Sequence, residues 1–300
     1  MAAPRPVELL IGGSNLNDVA YVNGEFTRVQ YARVSILDRG FLFGDGVYEV
    51  AAVLEGKLID YEAHLSRLER SLREMALGSP TPLVDLREIQ RELIARNGLR
   101  EGIVYLQITR GAAAREFGFP KEASPTLVMF TQEKNILAAP AARTGIAVKT
   151  VRDIRWARRD IKSISLLAQV LAKQAAVAEG CQEAWMFDEN GMVTEGASSS
   201  SFIITKQGVI VTRPNDSSVL PGCTRKAILA LAEGRGLSID ERAFSLGEAF
   251  DAAEAFVTSA STFVLPVVSI DGDPIGAGIP GDMTKRLREL YISFARVSAT

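Results

Sequence analysis

The run Val47–Leu77, VYEVAAVLEGKLIDYEAHLSRLERSLREMAL, changes its period midway, and that change decides the fold. Val47-Tyr48-Glu49-Val50 alternates, and Ala51-Ala52-Val53-Leu54 continues it as a partly buried strand. From Tyr61 onward Leu65, Leu68, Leu72 and Met75 fall on one helical stripe, to about Leu77. Working outward, residues 19–59 read as short strands with turns at Asn23-Gly24, Asp45-Gly46 and Glu55-Gly56-Lys57. A second helix is expected from Leu83 to Arg96, stopped by Asn97-Gly98. Strands over Val104–Thr109 and Pro125–Thr131 flank a Gly111–Pro120 loop.

Beyond Ala138-Ala139-Pro140-Ala141-Ala142, the best linker, a strand is expected at Ile146–Val151 and a helix from Ser163 to Glu179, ended by Gly180. Short strands follow near Glu183–Phe187, Phe202–Thr205 and Val209–Thr212. A helix begins after Pro221-Gly222, and a last one runs over Met283–Phe294. Strands and helices mix without the regular alternation of a doubly wound sheet, which predicts an α+β fold in two domains. The boundaries are 1–137, with 1–18 an extension, then the linker 138–142, then 143–300.

Composition narrows the chemistry. With 47% hydrophobic and 23% charged residues among 300, the chain reads as an ordinary soluble globular protein. A net charge of −2 gives no reason to expect nucleic acid or an anionic membrane as partner. Cys181 and Cys223 form neither a metal spacing nor a disulfide framework, and point to a reducing compartment. Met1 to Gly13 carries only the short apolar run Val7–Ile11, with Glu8 inside it, so neither signal peptide nor membrane span is expected. The expectation is a cytoplasmic protein. One histidine, His64, leaves no material for a zinc site and no Gly-x-Ser-x-Gly elbow accompanies it. Neither standard nucleotide-binding glycine loop is present. Lysine is the best remaining acid/base.

Lys162 lies in Asp160-Ile161-Lys162-Ser163, with Ile164 and Leu166-Leu167 beyond. Apolar neighbours strip an amine of hydration and lower its pKa, making it a nucleophile and a base. The bland alternative is a lysine at a helix start whose charge reaches solvent. Thr194-Glu195-Gly196-Ala197-Ser198-Ser199 supplies a carboxylate in a small, hydroxyl-rich loop. A pyridoxal phosphate enzyme needs this pair, an amine for the aldehyde and an acid for the ring nitrogen. Arg67, three residues after His64, could clamp a phosphate or merely face solvent. Leu220-Pro221-Gly222-Cys223-Thr224-Arg225 breaks the chain and starts a helix, either an anion site or only an N-cap. Thr258-Ser259-Ala260-Ser261-Thr262 could add donors to the same anion, or end a strand. Tyr48 and Arg115 are candidate substrate-side groups; a buried tyrosine and a surface arginine are the alternatives.

Taken together, Asp38–Val50, His64–Leu68, Val104–Gly111, Asp153–Lys162, Val193–Ser199 and Leu220–Arg225 resemble the fold-type IV pyridoxal phosphate transaminases, closest to the D-amino acid aminotransferases among them. The resemblance implies a smaller N-terminal α/β sandwich, a larger C-terminal pseudo-barrel and a homodimer. It implies that Lys162 is the Schiff-base lysine and moves the proton, and that Glu195 pairs with the pyridine nitrogen. It gives the phosphate to Arg67, Cys223, Thr224 and the Ser259-Ala260 loop. It packs Leu220 on the ring, sets Ser198 and Ser199 at the cofactor's border and places Arg155 near Lys162. Tyr48 and Arg115 would hold the substrate carboxylate, Arg115 from its own or a neighbouring subunit. Two positions depart from the pattern. Phe117 replaces a common histidine, which implies a weaker or rearranged carboxylate clamp, and Ala260 replaces a common threonine, leaving a backbone N–H without a hydroxyl.

The expected activity is ping-pong transfer of amino groups between D-amino acids, such as D-alanine and D-glutamate, and 2-oxo acids such as pyruvate and 2-oxoglutarate. Alternatives are an (R)-selective amine or branched-chain amino acid transaminase, an aminodeoxychorismate lyase, and a non-catalytic binder of a phosphorylated small molecule. No metal is expected.

Overall fold

A computed structural model describes residues 18–300 as two compact units. Residues 1–17, nearly all of the expected extension, lie outside the described residues. The first unit takes in the chain to Asn135, then Lys162–Ser165 and Ala299–Thr300; the second takes in Ile136–Ile161 and Leu166–Ser298.

The first unit is built on strands β1 (Val19–Val22), β2 (Glu25–Arg28), β3 (Gly46–Leu54), β4 (Lys57–Leu58), β5 (Glu101–Thr109) and β6 (Thr126–Glu133). They form one antiparallel sheet in the order β2-β1-β6-β5-β3-β4. Its helices are α1 (Arg39–Phe43), α2 (Tyr61–Glu74) and α3 (Leu86–Arg96). Asn23-Gly24 and Glu55-Gly56 all have positive φ and close two-residue hairpins, as the sequence predicts. Asp45-Gly46 is not the turn that dipeptide predicts. Gly44, at φ 68°, ends α1 in the left-handed region; Gly46 already belongs to β3, and Asp45 is a buried ion-pair partner.

In the second unit, α4 (Pro140–Thr144) begins inside the expected linker, with Pro140 in its first turn, where a missing N–H costs nothing. The strands are β7 (Ile146–Arg152), β8 (Glu183–Phe187), β9 (Val193–Gly196), β10 (Ser200–Ile204), β11 (Ile210–Thr212), β12 (Ile239–Glu241), β13 (Glu254–Ser259), β14 (Phe263–Ile270) and β15 (Asp273–Pro274). The sheet order is β12-β11-β10-β13-β14-β7-β8-β9, with β15 on β14, and the sheet curls into a half-barrel. Helices α5 (Leu167–Ala178), α6 (Cys223–Glu233), α7 (Leu246–Phe250) and α8 (Asp282–Ser298) complete it. Strands β9, β10 and β11 are buried along their whole length. The core includes Trp185 edge-on to Phe244 and Phe202 stacked on Phe256, each burial stabilising by about 1.5–3 kcal/mol.

Helix α5 begins at Leu167, not at Ser163 as the apolar run suggests. The residues before it are extended because β3 has an open edge. Strand β4 pairs only with Val53 and Leu54, and Lys162–Ile164 takes up pairing at the other end of β3. The Tyr48 N–H donates to the Lys162 carbonyl at 3.0 Å, and the Ile164 N–H donates to the Gly46 carbonyl at 3.1 Å. This short graft carries Lys162 into the first unit.

Candidate active site

Pairing along β3 sets Lys162 opposite Tyr48. The Lys162 Nζ lies 4.1 Å from the centroid of the Tyr48 ring, and the Lys162 N–H donates to Ser71 Oγ of α2 at 3.3 Å. Among the described residues, Nζ has no ion pair and no hydrogen bond. A half-buried amine without a carboxylate beside it is unusual for lysine, which is normally paired or fully solvated. The Tyr48 ring stacks at 5.7 Å on Tyr105, which stacks at 4.8 Å on Phe130. Burial pushes the Tyr105 phenol far above its ordinary range.

The next residue on β3 faces the other way. Glu49 is buried, and both of its oxygens are held by Arg67: Nε donates to Oε1 and an Nη to Oε2, each at 2.8 Å. His64 Nδ1 lies 2.7 Å from the same Oε2. Burial alone would raise the Glu49 carboxyl, but the charge and hydrogen bonds of Arg67, then His64, hold it well below the carboxylate range. Arg67 therefore comes with a fixed orientation and a dedicated countercharge. No motif singled out Glu49; the available signal was an acid in an otherwise apolar strand, opposite a His/Arg pair at helical spacing.

Arg115 is exposed on the Gly111–Pro120 loop, its guanidinium 5.4 Å from the centroid of the Phe43 ring. Phe117 is 82% exposed and packs on the same ring at 5.5 Å. Where a histidine would offer ring nitrogens, this chain offers only aromatic surface.

In the second unit Glu195 is buried on β9 rather than in a loop. Its Oε1 accepts from an Arg155 Nη and from the Leu220 N–H, the latter at 3.1 Å. Its Oε2 has no partner among the described residues. Burial pushes the Glu195 carboxyl up, against the pull of Arg155. Arg155 is held in turn by Asp153, whose Oδ2 also accepts from Thr194 Oγ1 at 2.7 Å. Asp153 completes the network, and its signal was the Asp-x-Arg spacing before Lys162.

Leu220, whose N–H holds Glu195, is followed within three residues by the start of α6. The first N–H groups of any helix have no intrahelical acceptor and favour an anion. Gly222 caps α6 without a side-chain hydrogen bond, and no acidic residue lies in the first turn. Among the described residues the buried Thr224 Oγ1 has no partner, nor does the buried Thr258 Oγ1 of β13. A buried hydroxyl left without a partner costs about 1–3 kcal/mol, so it marks a place for an absent acceptor. Ser259 Oγ turns instead to Thr262 Oγ1 at 2.7 Å, beside the half-buried Ala260. Ser198 and Ser199 donate to Glu183 Oε2 at 2.7 and 3.2 Å. Buried Cys223 is the first residue of α6. A carboxylate with one free oxygen, its other oxygen held by a backbone N–H three residues before a helix start, fits a protonated heteroaromatic ring bearing a phosphate. Among the described residues no cluster of His, Cys, Asp and Glu could hold a metal ion.

This reading predicts opposite effects for Thr224→Val with and without cofactor. The cofactor-free protein gains stability, on the order of 1 kcal/mol, as the orphan hydroxyl goes. Affinity for pyridoxal phosphate falls about tenfold, the worth of one hydrogen bond to a charged oxygen. Thermal unfolding of both forms and a cofactor titration measure the two effects. A loss of stability in the cofactor-free form contradicts the assignment.

A sequence profile of the family described as amino-transferase class IV matches residues 46–270, more than half of the chain. D-alanine aminotransferase of Staphylococcus aureus (strain MSSA476) is 39% identical over 270 residues, which are 90% of this chain and 95% of that protein. D-alanine aminotransferase of Bacillus licheniformis is 38% identical over 271 residues, 89% of this chain and 93% of that protein. Among solved structures, a branched-chain amino acid aminotransferase of Escherichia coli is similar with a TM-score of 0.88 at 27% identity, covering 93% of this chain and 95% of that one. A second branched-chain amino acid aminotransferase, from T.th. and solved with pyridoxamine 5′-phosphate, gives 0.87 at 26% identity, covering 95% and 98%.

Proposed function

The chain belongs to the amino-transferase class IV family, and we propose that it moves amino groups between D-amino acids and 2-oxo acids with Lys162 carrying the proton. It is a pyridoxal 5′-phosphate-dependent aminotransferase. When bound, that cofactor supplies an aldehyde that captures amines and a ring that accepts the electrons released at Cα.

The chain's own residues do the rest. Lys162 would be the amine for the aldehyde and would move the proton from the substrate's Cα; among the described residues no carboxylate competes for its Nζ. Glu195 offers Oε2 to the ring nitrogen and keeps a proton there, while Arg155 and the Leu220 N–H fix Oε1. Leu220 would pack against the ring, with Ser198 and Ser199 bordering the cofactor. The Cys223 and Thr224 N–H groups, the Thr224 hydroxyl, the Ser259-Ala260 loop and Arg67, which Glu49 holds in place, would bind the phosphate. Tyr48 and Arg115 receive the substrate carboxylate beside Phe117. The observations that support the reaction class are a lysine amine without a partner among the described residues in one unit and, in the other, a carboxylate that keeps one oxygen free.

The D-amino acid preference rests on the 39% identity to D-alanine aminotransferase, against 27% to the branched-chain enzyme. D-alanine, D-glutamate, pyruvate and 2-oxoglutarate are the substrates of this reading. We assign a cytoplasmic homodimer. Unpaired Cys181 and Cys223 support the compartment. Exposed Ile36, Phe41 and Phe117, each more than three-quarters accessible, support a second copy.

A donor panel tests the reading. Holoenzyme is mixed with D-alanine, L-leucine or (R)-1-phenylethylamine in single turnovers, and the cofactor's visible band is followed. D-alanine is expected to bleach it. Bleaching by L-leucine alone would make the enzyme a branched-chain transaminase.

A further inference from the structure

The residues just before β3 enclose a buried cation that reaches out to the tip of the Gly111–Pro120 loop. Arg39 is only 3% exposed, yet Arg115, Glu116 and Phe117 are all exposed. Its Nε donates to Asp45 Oδ2 at 2.8 Å. One Nη donates to the Glu116 carbonyl at 2.6 Å, and the other to the Phe117 carbonyl at 3.3 Å. A buried guanidinium bonded to two successive carbonyls at a loop tip has few structural reasons to be there. The strand ends could have been joined without it.

The surroundings make the anchor stiff. Asp45 also binds Arg110 through both oxygens, at 2.8 and 3.1 Å, and Arg110 donates to the Met75 and Ala76 carbonyls at the end of α2. Two guanidinium groups outweigh burial and lower the Asp45 carboxyl, so it is a permanent countercharge. Asp38 caps α1 through the Gly40 N–H, and it accepts from Thr109 and Thr126, which flank the loop. Gly40 has no room for a side chain, since a Cβ there would stand 2.3 Å from Thr109. The Phe43 ring collects Arg39, Arg115 and Phe117 on its surface. One buried pair thus governs the direction of Arg115, assigned to the substrate carboxylate, and of Phe117 beside it.

We propose that Arg39 is a positioning residue for substrate binding: backed by Asp45, it clamps the Glu116 and Phe117 carbonyls and so presents Arg115 to the α-carboxylate. The proposal rests on the assignment of Arg115 above. Lysine at this position can still neutralise Asp45, but a single ammonium cannot also hold two carbonyls in fixed directions. Small misplacements of a binding group are costly in such sites.

The test uses holoenzyme carrying Arg39→Lys, with Arg115→Ala beside it. In Arg39→Lys the KM for D-alanine is expected to rise on the order of tenfold, with kcat changed less than about twofold. Limited trypsin digestion is expected to cut after Arg115 about tenfold faster, because cleavage follows local opening of the tip. That arm reads the clamp without reference to substrate. Unchanged cleavage in Arg39→Lys overturns the proposal, as does faster cleavage with an unchanged KM. If Arg115→Ala leaves the D-alanine KM unchanged, the assignment of Arg115 is wrong and the proposal falls with it. A failure of the clamp alone shows differently, as unchanged cleavage in Arg39→Lys beside a raised KM in Arg115→Ala. Should Arg39→Lys not fold, Arg39→Gln, which keeps an amide donor without charge, gives the same comparison.

Discussion

Lys162→Ala is expected to slow amino transfer from D-alanine by about 10⁴-fold or more, since it removes both the amine that captures the aldehyde and the base that moves the proton. The visible absorption that depends on that amine should vanish from the purified protein. Stability should hardly change. Nζ makes no hydrogen bond or ion pair among the described residues, and Lys162 is held by its backbone on β3 and by Ser71. A small primary amine added to the variant should restore part of the rate by entering the space left by the side chain. Steady-state rates, the absorption spectrum and the thermal midpoint check the three outcomes. Activity within tenfold of the parent would show that another group carries the proton.

Glu195→Gln should cost on the order of 10²–10³-fold in kcat, because a neutral amide no longer stabilises positive charge on the ring nitrogen. KM should change little, since Glu195 touches no substrate atom in this scheme. The pH profile gives a sharper view. Burial pushes the Glu195 carboxyl up, so its ionised form is lost at a higher pH than for an ordinary glutamate. Activity in the parent should therefore fall on the acid side above the usual carboxylate range, and that limb should disappear in Glu195→Gln. Folding should survive, because Arg155 keeps Asp153 as a countercharge at 2.7 Å. A parent-like kcat in the variant would remove Glu195 from the scheme.

The architecture was legible where hydrophobic period spoke clearly. The switch inside Val47–Leu77 gave β3 and α2, and the Asn23-Gly24 and Glu55-Gly56 turns gave their hairpins. Lys162 was singled out for its chemistry and misread as structure. The apolar run from Leu166 drew the helix forward, whereas the open edge of β3, a tertiary feature, drew Lys162–Ile164 into an extended bridge. Glu195 suffered the opposite error. Its small, hydroxyl-rich neighbours suggested a loop, but β9 pairs with β8 at the end of the sheet order and is buried along its whole length. The supporting carboxylates Glu49, Asp153 and Asp45 were hidden for one common reason. Each acts through an arginine, and only packing reveals which arginine it meets.

The central claim is a reversible transfer in two halves, and the most direct measurement is product counting without an acceptor. Holoenzyme is mixed with D-alanine alone, and pyruvate is quantified against enzyme subunits. One pyruvate per subunit should form in a burst and then stop, with release resuming when 2-oxoglutarate is added. L-alanine should give none. Continued pyruvate release without acceptor, or an equal burst from L-alanine, would contradict the account.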